Sequence, residues 1–353
     1  MKPIIANHYS VIFHSDNYFE LNKILKENNY SSIFILTDEN TNEYCAPLLL
    51  PYLETELNIE IIEIEAGEVN KNIETCMQIW SILSDFNADR KSVILNLGGG
   101  VITDLGGFIA STFKRGIDYI NIPTTLLGMV DASIGGKNGV DLGNLKNQIG
   151  TITNPKMVYI DSNYLKTLSQ RELKSGLAEM LKHGLIYDEN YWKEFKGIED
   201  LDFNKLDSLI YTSVEIKNKI VSQDPTENGI RKALNFGHTL GHAIESFYLH
   251  SETPLLHGEA IAIGMILESH ISVFKNLLNK SKYLEIKKTI QNIYPDFIVS
   301  ENDIEPILEL LIHDKKNEYG KIQFTLLNKI GESCINQLVE DSFLRNSFKE
   351  LAT

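Results

Sequence analysis

Over roughly the first 150 residues, short apolar runs ending in polar residues alternate with stretches of helical spacing. SSIFILTD (31–38), NIEIIEIEAGE (58–68), KSVILNLGGG (91–100) and IDYINIPTT (117–125) each read as a strand. Between them, NIETCMQIWSILSDF (72–86) sets Ile73, Met77, Trp80 and Leu83 at helical spacing, and DLGGFIASTFKRG (104–116) reads as a second helix. Strands separated by helices predict a parallel sheet with helices packed on it. From about Leu165 the period becomes 3.6 in QRELKSGLAEMLKHGLIYDENYWKEF (170–195), LDSLIYTSVEIKNKIVSQ (206–223) and GEAIAIGMILESHISVF (258–274). The pattern predicts an α/β N-terminal domain, residues 1–160, and a mostly helical C-terminal domain, 161–353, joined near NPKMVYIDSNYL (154–165). KNLLNKSKYLEIKKTI (275–290) is a charged helix face to which no chemistry attaches.

Composition narrows the class. The chain has 353 residues, 43% apolar and 23% charged, the balance of a soluble globular protein of two ordinary domains. A formal charge of -15 argues against nucleic acid as a partner, although local lysines and arginines can still hold an anionic substrate. Cys45, Cys76 and Cys334 lie far apart and lack C-x-x-C spacing, as expected of reduced thiols. No apolar run reaches signal-peptide or membrane-span length, so a cytoplasmic protein with no membrane partner is expected.

Three strand-end segments suit a nucleotide. NLGGGVITDLGG puts Gly98, Gly99 and Gly100 between a strand and a helix, where backbone N–H groups can approach a pyrophosphate. It is not the G-x-G-x-x-G fingerprint, and a tight turn without ligand would read the same. AGEVNK offers Glu68 and Lys71, and PTTLLG offers Thr124 and Thr125. The following MVDASIGGKNGVDLGNLKNQIG (129–150) reads as a glycine-rich loop carrying Asp131, Lys137, Lys146 and Asn147, with Arg115 at the preceding helix end. Lysines and an asparagine on such a loop suit a phosphate or carboxylate.

RKALNFGHTLGHAIE (231–245) places His238 and His242 one helical turn apart with Thr239 where the H-E-x-x-H pattern has its glutamate. Glu179, in SGLAEMLKHG, lies among Leu173, Leu177, Met180, Leu181 and Leu185 and one turn from Lys182. A carboxylate buried there needs a partner, and His238, His242 or His257 can supply it. One glutamate and two histidines would leave a metal with an open position, the plan of a catalytic zinc site. Glu227, Arg231 and Asn235 are spaced along the same segment. The missing glutamate points away from hydrolysis and toward polarising an alcohol oxygen.

These segments, in this order, resemble the 3-dehydroquinate synthase family of NAD-dependent sugar phosphate cyclases. GGGVITDLGGF, FKRG, IPTTLLGMVDASIGGK, LKNQIG, SGLAEMLKHG, DPTENGIRKALNFGHTLGHAIE, LLHGEAIAIGM and HDKKNEYG carry the likeness, from about Ile33 to Gly331. The resemblance implies a Rossmann-like parallel-sheet domain for NAD, a helical metal- and substrate-binding domain and a cytoplasmic homodimer. It places NAD on Glu68, Lys71, Gly99, Gly100, Asp104, Thr124, Thr125, Lys137, Lys146 and Thr167. Zinc or cobalt would sit on Glu179, His238 and His257. Lys137, Asn147, His242 and a partner-supplied Arg115 would meet the substrate phosphate. Lys217, Arg231, Asn235 and Lys315 or Lys316 would hold the carboxylate end, with Asp131, Lys182 and Glu227 around the reacting hydroxyls.

The activity implied is conversion of 3-deoxy-D-arabino-heptulosonate 7-phosphate to 3-dehydroquinate and phosphate, a lyase step of the shikimate pathway. It proceeds by transient oxidation, elimination, reduction and aldol closure. Asn138 stands where the family commonly has threonine. The alternatives are another sugar phosphate cyclase or a metal-dependent alcohol dehydrogenase of the glycerol dehydrogenase type, which would not need Lys137, Lys146, Asn147 and Arg231. A zinc hydrolase and a non-catalytic nucleotide-binding module explain fewer of these residues.

Overall fold

The computed structural model describes residues 1–14, 16–143, 145–197, 203–249, 251–295, 299–311 and 322–352. These fall into two compact units, Met1–Leu173 and Lys174–Thr353.

The first unit is built on a seven-stranded sheet. Its strands are β1 (Ile4–Ile5), β2 (Ser10–Phe13), β3 (Ile33–Asp38), β4 (Ile59–Ile64), β5 (Val93–Gly98), β6 (Asp118–Pro123) and, after a separate hairpin of β7 (Lys137–Leu142) and β8 (Leu145–Ile152), β9 (Met157–Ile160). The order is β1-β2-β9-β6-β5-β3-β4, and only the β1–β2 pair is antiparallel. Central strands covered on both faces are mostly apolar and fully buried, as in VILNLG and MVYI, with Asn96 paired to Asn121 of the neighbouring strand. The edge strand β4, IEIIEI, buries Ile62 but leaves Ile61 exposed between its glutamates.

Helices Ile73–Asp85 and Gly100–Thr112 contribute Cys76, Ile79, Leu83, Ile102, Leu105, Phe108 and Ile109 to one core with Phe34, Leu36 and Ile94. Met77 lies outside this core, 59% exposed, so the buried stripe of the first helix centres on Cys76 and Ile79. Gly106 lets the second helix settle onto the sheet, since a Cβ there would lie 1.9 Å from Asn96 Oδ1.

The segment read as a glycine-rich loop is mostly strand. After a five-residue wide turn, Gly128–Ala132, the chain forms the β7–β8 ladder, pairing Lys137 with Ile152 and Gly139 with Gly150. A Cβ on Gly139 would lie 2.8 Å from Ile149 O, and one on Gly150 2.4 Å from Asn138 O. Those two glycines permit close strand contact, not a mobile loop.

Among its described residues, the second unit is helical apart from one hairpin, β10 (Phe324–Lys329) with β11 (Glu332–Gln337). Helix His257–Phe274 is buried nearly all round and touches helices His238–Tyr248, Lys280–Ile293 and Asp341–Ala352. The charged face read at 275–290 belongs to helix Lys280–Ile293, which also buries Tyr283, Ile286, Ile290 and Ile293. Among the described residues, no helix is long and apolar enough to cross a membrane.

Candidate active site

In the first unit β3 leads to β4 on one side and its neighbour β5 leads to β6 on the other, so the loops leaving β3 and β5 run to opposite sides. The Gly98–Gly100 turn rises from this reversal, the usual ligand position in an open α/β sheet. A Cβ on Gly98 would meet Ile102 at 2.5 Å and one on Gly99 would meet Thr125 at 2.8 Å. Close packing therefore requires these glycines whether or not a pyrophosphate approaches. Thr124 N donates to Gly98 O, and Thr125 Oγ1 accepts from Gly128 N at 3.0 Å, tying the β6 end to the turn.

A charge network joins three segments here. Lys71 Nζ donates to Asp104 Oδ2 at 2.7 Å and lies 3.8 Å from Glu68 Oε1, which is 3.5 Å from Lys146 Nζ. Burial alone would lower the Lys71 pKa, but Asp104 and Glu68 reverse this and hold it above the ordinary lysine range. Asp141 carries the hairpin onto the same segment, its N–H donating to Lys71 O and its carboxylate accepting from Asn147 N at 2.6 Å.

The structure does not bring all predicted residues of this unit together. Lys137 is at the open end of the hairpin and Lys146 is next to its turn, on the order of 15 Å apart at about 3.4 Å per residue. Thr167 donates to Tyr164 O and, through Cys45, which hydrogen-bonds to both Thr167 and Thr124, does reach the β6 end. Arg115 is exposed on a turn where Lys114, Arg115 and Gly116 all have positive φ. Asp131, in the wide turn Gly128–Ala132, does lie within electrostatic reach of Asp104.

Asn138 has a defined job. Its amide donates to Tyr119 Oη, Gly136 O and Thr153 O at 3.0, 3.1 and 2.9 Å, fastening the hairpin end that carries Lys137.

In the second unit Glu179 is completely buried on helix Gln170–Tyr187 and ion-paired with Lys182. Its Oε1 lies 3.4 Å from His238 Nε2 and 3.7 Å from His257 Nε2. Burial would raise its pKa, but the adjacent Lys182 ammonium outweighs it and holds the carboxyl well below its ordinary range. Gly258 sets this approach: a Cβ there would lie 1.8 Å from Ser175 O, and its N–H donates to Ser175 Oγ. Ser175 is one turn before Glu179, so His257 is delivered beside it. His242 joins the cluster, with ring centroids 5.1 Å from His238 and 5.7 Å from His257.

The residues fit a divalent cation. Glu179 Oε2 is taken by Lys182, while the buried Oε1 has no hydrogen bond and faces the two histidine Nε2 atoms. His238 Nδ1 lies 3.2 Å from Phe236 O, which can only accept, so the proton belongs on Nδ1 and the Nε2 lone pair faces Glu179. Imidazole and carboxylate donors suit zinc or cobalt. The sequence reading passed over Glu245, four-fifths of a turn beyond His242. It is buried, and its Oε2 lies 3.1 Å from His257 Nδ1. Burial would lower the His257 pKa, but Glu245 and Glu179 push it up to about 9. A glutamate one turn after a histidine pair was the available signal.

The segment after helix Phe203–Gln223 brings further predicted residues together. Asn235 Nδ2 donates to Glu227 Oε1 at 2.9 Å, and Glu227 adopts φ +61°. Asp224 accepts from the N–H groups of Asn228, Gly229 and Arg231, and buried Arg231 donates to Pro225 O at 2.6 Å. Desolvation would raise Asp224, but those N–H groups prevail and lower it. Lys217 is buried on the helix packed against this turn. Lys315 and Lys316 lie outside the described residues.

Comparison with known proteins covers both units. The family model for the 3-dehydroquinate synthase N-terminal domain matches residues 61–175, and that for its C-terminal domain matches 176–317. A 3-dehydroquinate synthase of Parabacteroides distasonis is 44% identical over 333 residues, covering 93% of this chain and 94% of the relative. A solved 2-deoxy-scyllo-inosose synthase, complexed with carbaglucose-6-phosphate, NAD+ and Co2+, superposes with TM-score 0.87 at 23% identity, covering 99% of both chains. The 2-epi-5-epi-valiolone synthase of Streptomyces hygroscopicus, with NAD+ and Zn2+ bound, gives TM-score 0.85 at 25% identity, covering 100% of this chain and 99% of that one.

Proposed function

The chain belongs to the 3-dehydroquinate synthase family, and we propose that it converts 3-deoxy-D-arabino-heptulosonate 7-phosphate to 3-dehydroquinate and phosphate with NAD and a divalent metal. The observation that carries the metal assignment is the buried Glu179 Oε1, without a hydrogen bond and faced by His238 and His257 Nε2. When bound, zinc or cobalt would supply Lewis-acid stabilisation of negative charge on a substrate oxygen, and NAD a reversible hydride acceptor.

Glu179, His238 and His257 would hold the cation, with Glu245 keeping the His257 proton on Nδ1. Glu68, Lys71, Gly99, Gly100, Asp104, Thr124, Thr125, Lys137, Lys146 and Thr167 would hold NAD. The Lys71–Asp104 pair fixes the loop after β4 against the helix that follows the glycine turn. Lys137, Asn147 and His242 would bind the substrate phosphate, and Lys217, Arg231 and Asn235 its carboxylate end. Asp131, Lys182 and Glu227 would hold or move protons at the reacting hydroxyls.

The exposed left-handed turn at Arg115 suits a residue offered to a second copy, so a homodimer in which the partner subunit's Arg115 completes the phosphate site is part of this reading. Lys315 and Lys316 keep the carboxylate role implied by the likeness, and a cytoplasmic location goes with this metabolic role. Phosphate release from the heptulosonate phosphate should require NAD+ and metal together and vanish in Glu179→Ala. Release independent of either, or surviving that substitution, would contradict the assignment.

A further inference from the structure

Helix His238–Tyr248 begins without a cap of its own. Its N-cap residue is Gly237, at φ +78°, and a Cβ there would lie 2.6 Å from Met265 Cγ and 3.1 Å from Ile261 O. Helix His257–Phe274 crosses so closely that a Cβ on Gly264 would lie 1.9 Å from Gly237 O and 2.8 Å from Gly241 N. The serine, threonine, asparagine or aspartate that normally caps a helix cannot fit. Two N–H groups would then be left buried, the glycine's own and that of the third helical residue, Leu240.

Glu268, one turn beyond Gly264, accepts from both. Its Oε2 lies 2.6 Å from Gly237 N and its Oε1 3.2 Å from Leu240 N, and the side chain is completely buried. In a local capping box these two donors are served by two side chains of the same helix. Here one carboxylate from a neighbouring helix serves both, and its charge opposes the positive helix end. The first residue of the capped turn is His238, and His242 follows one turn later.

We propose that Glu268 is a positioning residue, a cap supplied by the neighbouring helix that sets the direction of the His238 ring and hence the affinity of the site for its metal. This rests on the metal-site reading above. Glu268 acts through the backbone at Gly237 and Leu240.

The test uses full-length protein loaded with Zn2+ or Co2+ and titrated with a competing chelator, alongside thermal unfolding of the chelator-treated protein. Glu268→Ala should hold Zn2+ about 10- to 100-fold less tightly, the range for residues that orient metal ligands. Glu268→Gln keeps one acceptor but turns an N–H toward the other donor, so it should fall between wild type and Glu268→Ala. The visible spectrum of bound Co2+ should shift in both. A purely structural role would lower the unfolding midpoint while leaving folded-state affinity and spectrum unchanged, and that result overturns the proposal. If Glu268→Ala does not fold, Glu268→Gln decides on the same criterion. Wild-type protein that binds neither Zn2+ nor Co2+ would overturn the metal-site reading and this inference with it, whereas equal binding by wild type and variants overturns the inference alone.

Discussion

Glu245 and His257 meet at 3.1 Å, carboxylate Oε2 to ring Nδ1, while the opposite ring nitrogen lies 3.7 Å from Glu179. The ring is thus held between two buried carboxylates, with its tautomer fixed from behind. Glu245→Gln keeps the shape but removes the charge, so zinc should be held on the order of 10-fold less tightly, by chelator competition. Unchanged affinity would remove Glu245 from the account.

Lys71 and Asp104 form a pair whose lysine side chain is 4% exposed and whose aspartate is 18% exposed. Lys71→Met leaves Asp104 facing Glu68 with its closest cation gone. Breaking a buried pair costs about 3–5 kcal/mol, and the partial exposure of Asp104 places this case toward the lower end. Adding Asp104→Asn should restore most of the urea midpoint without restoring NAD affinity measured by titration.

Asp224 is held below its usual 3.8 by the backbone N–H groups of Gly229, Arg231 and Asn228. A depressed carboxyl stabilises the fold above its unfolded pKa and loses that contribution as pH falls through the folded value. Asp224→Asn should therefore lower the urea midpoint at pH 7, with the gap to wild type narrowing below about pH 3.8. A gap that widens on acidification would reverse the sign and refute the assignment.

Asn138 anchors the start of β7 through three donated hydrogen bonds. Asn138→Ala removes these donated bonds, but Thr153 O keeps the Tyr119 hydroxyl and Gly136 O keeps the Thr153 N–H, so the cost should be about 1 kcal/mol. Because Lys137 is adjacent, KM for the phosphorylated substrate should rise more than kcat falls. A stability loss with KM unchanged would confine Asn138 to the scaffold.

Much of this was legible in the apolar pattern. The runs at 33–38, 59–64, 93–98 and 118–123 are long enough to show as strands, and the helix at 170–187 shows Leu173, Leu177, Met180, Leu181 and Leu185 as a buried stripe. The β7–β8 hairpin was not legible, because Gly139 and Gly150 look like loop residues until they are seen facing each other. β1 and β2, two and four residues long, are too short to show a period. Glu179 was legible as a carboxylate stranded in an apolar stripe. Glu268 was not, since helix His257–Phe274 is buried nearly all round and has no polar face against which to stand out.

NAD should be reduced and reoxidised on one substrate molecule within each turnover. The decisive measurement supplies the heptulosonate phosphate to metal-loaded protein with NAD+ and follows phosphate, carbocyclic product and 340 nm absorbance together. Equimolar phosphate and 3-dehydroquinate with no net NADH is the predicted result. Phosphate without 3-dehydroquinate, or NADH accumulating with turnover, would contradict it.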